Sequence, residues 1–231
     1  MHEERFAIDS LRHCQLFAGC DSGVLHAIAG RLRDRRFRRN EVIFHQGDAG
    51  DSLHIIVSGS VKIVLPSTEG DEAIIATLRP ADFFGELALL DGQPRSATAT
   101  AIEPTQTLTL SRSTFLELLN GHPDLRDALL SALVAELRRL TNHVEELHFL
   151  DLAGRLARHL VRLAAQSGGG PTGSMTLDWP YTQSDLAAMI GGTRQSVNKL
   201  LGELIDEDLV RIERDTLVLT DLEALSRRAE R

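Results

Sequence analysis

The spacing of apolar residues changes period twice along the chain. Residues 6–33 carry helical spacing, with Phe6 and Leu11, then Val24, Leu25, Ile28, Ala29 and Leu32. Gly19–Asp21 interrupt the pattern, and Asp21 or Ser22 is placed to cap the second helix. From Phe37 to Leu110 the period becomes two. Short β-branched runs (EVIFHQGDAGD, SLHIIVSGSVKIVL, DEAIIATL, SATATAIEPTQTLTL) alternate with turns at Gly47, Gly50, Gly59, Gly70 and Gly92. Strands so short and so evenly spaced predict a small barrel or roll. Helical spacing then returns over 112–122, 124–149 and 152–166, with His122-Pro123 ending the first and Asp151 capping the last.

In 124–149, Leu130, Leu133, Leu137, Leu140, Val144 and Leu147 alternate at spacings of three and four. A stripe this narrow fits the seam of a two-stranded coiled coil better than a face packed on its own domain, and so predicts a homodimer. SGGGPTGS at 167–174 reads as a loop or hairpin. Residues 182–220 then predict two short helices, broken at Gly191-Gly192, and a two-stranded wing in LVRIERDTLVLT. The expected fold class is α+β. A roll occupies 1–123, a central dimerisation helix and hinge 124–150, and a winged helix-turn-helix 151–231.

Composition adds limits. The 231 residues suit two modest domains. No apolar run approaches the roughly 18 residues of a membrane span, and the polar start MHEERFAIDSLRHCQ has no signal-peptide character, so a cytoplasmic protein is expected. Cys14 and Cys20 are too few for an iron–sulfur cluster and read as small core residues. No metal motif occurs; His143 and His148, five apart, do not share a helix face. Net charge is −8, but residues 151–231 hold 10 basic and 12 acidic side chains, so most of the excess acid lies before the helix-turn-helix. Nucleic-acid binding there must rest on a local basic face, doubled by dimerisation.

The densest chemistry lies in residues 83–101, FFGELALLDGQPRSATATA. Backbone N–H groups at the Gly85-Glu86-Leu87 turn suit an anion, and Gly85 allows close approach. Arg95 offers a donor fork for two phosphate oxygens, beside Ser96. Glu86 only accepts, which suits a sugar hydroxyl. Thr141 falls at e and Asn142 at f of the heptad, where a polar side chain has reach toward a ligand in the roll. Thr182 and Thr193 cap the two helices of the helix-turn-helix, and Ser196 follows in the first turn of the second. Arg194, Gln195, Asn198 and Lys199 line that helix's exposed face with groups suited to base edges and phosphates. The string Gly50-Asp51-Ser52-Leu53 occurs in a class of serine hydrolases, but no histidine–acid pair follows late in the chain, so an enzyme is not expected.

On these motifs the chain resembles the cyclic-AMP receptor protein (CRP/FNR) family of bacterial transcription regulators over nearly its whole length. The resemblance implies a phosphate-binding cassette in which Gly85, Glu86, Leu87, Arg95 and Ser96 hold a cyclic nucleotide. Glu86 would take the ribose 2′-hydroxyl, and Arg95 with Ser96 the cyclic phosphate. It further implies that Thr141 contacts adenine, that Asn142 reaches the partner subunit's ligand, and that Arg194 reads guanine in the major groove. Cyclic AMP is the expected effector, with cyclic GMP, haem or another small molecule as alternatives on the same fold. Double-stranded DNA, a second copy of the chain and RNA polymerase are the implied partners. Gln195, Asn198 and Lys199 depart from better-known members, which leaves the operator open.

Overall fold

The computed structural model describes residues 2–170, 172–213 and 216–230. Contacts divide the chain into two units, one ending at Arg138 and one beginning at Arg139. The first unit opens with α1 (His2–His13) and α2 (Ser22–Ala29), the latter capped by Asp21, whose carboxylate accepts from the Val24 N–H. Then come β1 (Arg33–Phe37), β2 (Val42–Phe44), β3 (Ser52–Ser58), β4 (Val61–Pro66), β5 (Glu72–Leu78), β6 (Phe83–Phe84), α3 (Glu86–Asp91), β7 (Thr98–Ala101), β8 (Thr105–Ser111) and α4 (Arg112–Gly121). The strands form two four-stranded sheets, ordered β1-β8-β3-β6 and β2-β7-β4-β5, with every pairing antiparallel.

Period-two alternation gives these sheets two faces with different duties. Leu53 and Ile55 of β3 and Leu108 and Leu110 of β8 join Leu11, Phe17, Leu25, Ile28 and Phe115 in one core beneath the helices. Ile56, on the other face, packs with Val61, Phe84 and Ala99 inside the roll. The sharpest reversal is at Gly59, between β3 and β4. Its φ is +81°, and a Cβ there would lie 2.5 Å from the Pro104 carbonyl oxygen, so only glycine fits.

Two elements differ from expectation. Residues 33–37 (RDRRF) form a full strand although nothing in them alternates, because the backbone pairs with β8 at all five positions while four of the five side chains stay exposed. The turn after Gly85 is a short helix, α3, ended by Gly92.

Helix α5 runs unbroken from Pro123 to Phe149. Its first turns bury Leu125 and Leu129, and Leu133 packs on the same core. Exposed apolar residues along it include Leu130 (59% exposed), Val134 (50%), Leu137 (65%), Val144 (55%) and Leu147 (42%). Of the residues expected on the seam, Leu130, Leu137, Val144 and Leu147 are exposed and Leu140 is half-buried, whereas Leu133 packs on the core and the neighbouring Val134 is exposed in its place.

The second unit contains α6 (Leu152–Gln166), β9 (Met175–Asp178), α7 (Gln183–Ile190), α8 (Arg194–Asp206), β10 (Val210–Glu213), β11 (Thr216–Leu219) and α9 (Leu222–Arg228). Asp151 caps α6 through the Gly154 N–H at 2.7 Å. Leu156, Leu160 and Leu163 of α6 are buried with Leu186, Val197, Leu201, Leu217 and Leu225. The sheet order is β10-β11-β9, so Met175–Asp178 adds a third strand to the expected wing, whose tip at 214–215 lies outside the described residues. Arg162 holds Glu146 by two 3.2 Å bonds, joining the end of α5 to α6.

Substituting Gly59→Ala is expected to cost roughly 1–3 kcal/mol, since a positive φ and a clash with backbone act together. Chemical denaturation would show it as a lower midpoint with an unchanged slope, and an unshifted midpoint would contradict the turn geometry.

Candidate functional site

Arg95 sits where β7 is about to begin and is only 4% exposed. Its Nη1 donates to the Gly85 carbonyl at 2.7 Å and its Nη2 to the Ser52 carbonyl at 2.8 Å, with Ser52 Oγ at 3.5 Å. The guanidinium lies over the Phe44 ring, 4.2 Å from its centroid. Nε is buried and has no partner. Burial pulls this guanidinium's pKa down, while Asp51, Glu86 and Asp48 oppose that shift. The five donors of an arginine are thus partly committed to carbonyls and partly in reserve.

Local sequence dictates this arrangement. Gly85 takes φ +86°, and a Cβ on it would come within 2.5 Å of Arg95 Nη1. Its missing side chain therefore lets the arginine reach the backbone at the start of α3. The loop carrying Arg95 is tied down by its own backbone: Arg95 N–H donates to the Asp48 carbonyl at 2.8 Å, and Gly47 N–H to the Arg95 carbonyl at 2.9 Å. Glu86 follows at the start of α3, half-buried. Burial raises its carboxyl pKa above the usual range and Glu136 adds to this, while its own N–H and Arg95 work against it.

Of the expected ligand residues, the structure brings Gly85, Glu86 and Arg95 together. Leu87 is exposed on α3, and Ser96 is exposed beside Arg95. Thr141 and Asn142 lie on α5 in the second unit, both exposed. Sequence reasoning missed Phe44 and gave Ser52 no part in the cassette, because nothing local marks a carbonyl or a ring as an arginine's partner. Ser52 Oγ donates to Asp51 at 2.9 Å, whereas His54 Nδ1 lies 3.2 Å from Thr107 Oγ1. Burial and Arg95 pull the His54 pKa down to about 3, which makes it a poor base. The hydrolase-like string is thus strand structure supporting Arg95. Cys14 is buried and its thiol is pushed up to about 11, as expected of a core residue. Among the described residues no cluster of His, Cys, Asp or Glu is placed to hold a metal ion, and no helix is long and apolar enough to cross a membrane.

The second unit carries the helix-turn-helix. Thr182 and Asp185 form a reciprocal cap on α7, at 3.0 and 3.1 Å. Gly191, with φ +68°, ends α7. Thr193 caps α8 by accepting from the Ser196 N–H at 3.1 Å, and its hydroxyl lies 2.9 Å from that of Ser196. Val197, Leu201 and Leu204 anchor α8 inward. Arg194, Gln195, Asn198 and Lys199 are exposed, and Lys199 lies 3.9 Å from Glu203. This leaves four donor-bearing side chains on the N-terminal half of a firmly seated helix.

Comparison with known proteins agrees with both halves. Residues 34–122 match the family model for a Cyclic nucleotide-binding domain, and residues 154–228 match that for a Crp-like helix-turn-helix domain. The chain is 32% identical over 219 residues to the CRP-like cAMP-activated global transcriptional regulator of Mycobacterium tuberculosis, covering 95% of this chain and 98% of that one. It is 32% identical over 197 residues to the Cyclic AMP receptor protein of Thermus thermophilus, covering 85% and 88%. Among solved structures, a transcriptional regulator of the CRP/FNR family from Thermus thermophilus superposes with a TM-score of 0.66 at 30% identity, covering 86% and 99%.

The raised Glu86 carboxyl makes stability depend on pH. The folded chain holds this proton more tightly than the unfolded chain, whose carboxyl ionises near about 4.3. The contribution is therefore full below that pH and is lost as pH rises through the folded value. Glu86→Gln removes the loss, so the variant's Tm relative to the parent is expected to be higher at pH 7 than at pH 4. A difference independent of pH would contradict the raised Glu86 carboxyl.

Proposed function

The chain belongs to the cyclic-AMP receptor protein (CRP/FNR) family of transcription regulators, and from that premise we propose that it is a cyclic-AMP-responsive homodimer acting in the cytoplasm on a palindromic operator. It is a DNA-binding regulator with a cyclic-nucleotide-binding domain; the nucleotide, the dimer and the operator are the proposal. One observation carries the reading: a guanidinium buried in the roll, held by two carbonyls and with Nε unpartnered. An anion beside it adds a charge-assisted acceptor that the surrounding carboxylates, which do not close on the group, leave open.

In this reading the cyclic phosphate sits on Arg95 and Ser96, and Glu86 accepts from the ribose 2′-hydroxyl. Thr141 and Asn142, on α5, serve the base and its discrimination between adenine and guanine. The exposed stripe of Leu130, Val134, Leu137 and Val144 supports dimerisation through α5, since apolar side chains repeating at four and three match a two-stranded seam. The dimer presents two α8 helices to successive major grooves about 34 Å apart. Ligand shifts the dimer toward the DNA-competent state only by binding that state more tightly. A hundredfold preference at each site supplies roughly 2.7 kcal/mol. RNA polymerase is the partner through which bound dimer alters transcription.

Calorimetric titration with cyclic AMP and cyclic GMP tests the effector. Arg95→Ala is expected to weaken cyclic-AMP binding about a hundredfold, the loss of a buried charge-assisted pair. Arg95→Lys, which keeps the charge but not the fork, is expected to fall between. Unchanged affinity in both variants would overturn the assignment. Arg194→Ala is expected to cost about 1–3 kcal/mol on a preferred operator and to relax one guanine position. A selection from random DNA that returns the parent's profile would contradict the groove assignment.

A further inference from the structure

Six of the chain's 25 basic residues fall within residues 31–39, in a protein whose acids outnumber its bases by 33 to 25. They surround β1, an edge strand of its sheet. Charge on an edge strand guards against unwanted pairing, and that explains exposure alone. The two faces of β1 differ in a way that edge protection does not require. On one face, Asp34 lies 3.6 Å from Arg36 and accepts from Gln106 Nε2 at 3.0 Å. On the other, Arg33 and Arg35 form no ion pair among the described residues, and both line a recess of about 570 Å3.

The recess is a half-open depression rather than a flat surface. Its floor includes His54, 6% exposed, and Thr109, 9% exposed. Its wall is mixed, with Phe37 and Ile43 beside Ser111 and Thr114, whose hydroxyls lie 2.9 Å apart. Arg31 also lines it but is already paired with Glu117 at 2.8 Å. Asp51, the one acid in the lining, accepts the Ser52 hydroxyl and offsets the charge of Arg95. Burial holds His54 neutral, and Arg33 and Arg35, both exposed and without an ion pair among the described residues, are the cations at the rim of this half-open recess. Neither Glu86, Arg95 nor Ser96 lines this space.

We propose that this recess is a second anion site, taking a small molecule that carries a diphosphate, with Arg33 and Arg35 each engaging one phosphoryl group. Two residues apart on a strand, their Cα atoms stand roughly 6.6 Å from each other, and two flexible forks converge on a paired anion across that span. The site touches the cassette through one residue. Ser52 lines the recess, and its carbonyl accepts from Arg95 Nη2, so the two places share the start of β3.

Inorganic pyrophosphate, titrated calorimetrically into the full chain, tests the site. Binding is expected in the parent and in Arg95→Ala, and is expected to weaken at least about tenfold in the double variant Arg33→Gln with Arg35→Gln. Both substituted positions are exposed, and a parental Tm in the double variant shows that it is folded. Absence of binding in the parent, equal binding by the double variant, or a loss seen only in Arg95→Ala would each overturn the proposal, the last by showing that pyrophosphate had entered the cassette. Cyclic-AMP affinity is expected to survive the double substitution, which separates failure here from failure of the cassette.

Discussion

A guanidinium removed from water must be given acceptors, and the first unit is organised around meeting that demand for Arg95. Two backbone carbonyls, from Gly85 at the start of α3 and Ser52 at the start of β3, fix the plane of the group. Phe44 covers its face. Three carboxylates, Asp51, Glu86 and Asp48, supply opposing charge without closing on it. Several otherwise unrelated features of the sequence follow from this. Gly85 and Gly50 must lack side chains, since a Cβ at Gly50 would lie 3.3 Å from Arg95 Nε and 2.3 Å from Ala88. The Asp51-Ser52 pair is better explained as support for the cation than as part of a nucleophile.

The same economy governs the helices that carry the proposed signal. Along α5 the early leucines belong to the roll's core, whereas Leu130, Val134, Leu137 and Val144 are exposed, which is the surface the proposed dimer uses. Beyond it, the Glu146–Arg162 pair joins α5 to α6, and capped helices α7 and α8 hold the exposed donors of Arg194, Gln195, Asn198 and Lys199 in a fixed orientation. Because Glu146 is almost fully buried, breaking that pair would leave an uncompensated charge, so the junction resists bending at that point.

Much of this was legible in the sequence because local chemistry and global placement agreed. The Gly-Glu-Leu turn and the arginine after Pro94 are contiguous, and caps at Asp21, Asp151, Thr182 and Thr193 act within three residues of themselves. What escaped depends on distant partners. β1 has no alternation to betray it, and its strand character comes from hydrogen bonds to β8, some seventy residues away. On α5 the expected Leu130, Leu137, Val144 and Leu147 are exposed, but Leu133 turns inward and Val134 outward, because both are apolar and only the position of the roll's core decides between them. β9 was hidden next to a glycine-rich loop, and it earns its place by pairing with β11. The contacts of Phe44 and Ser52 with Arg95 arise only once folding has placed them together.

The most direct test of the buried cation as the ligand's anchor is the side-chain N–H resonance of Arg95, assigned by its loss in Arg95→Lys and followed by two-dimensional NMR as cyclic AMP is added. A saturable shift of that resonance, with the same midpoint as the calorimetric titration, is expected if the guanidinium turns its unused donors to the cyclic phosphate. A resonance that stays in place while nucleotide binds would contradict that role and assign the anion to another part of the molecule.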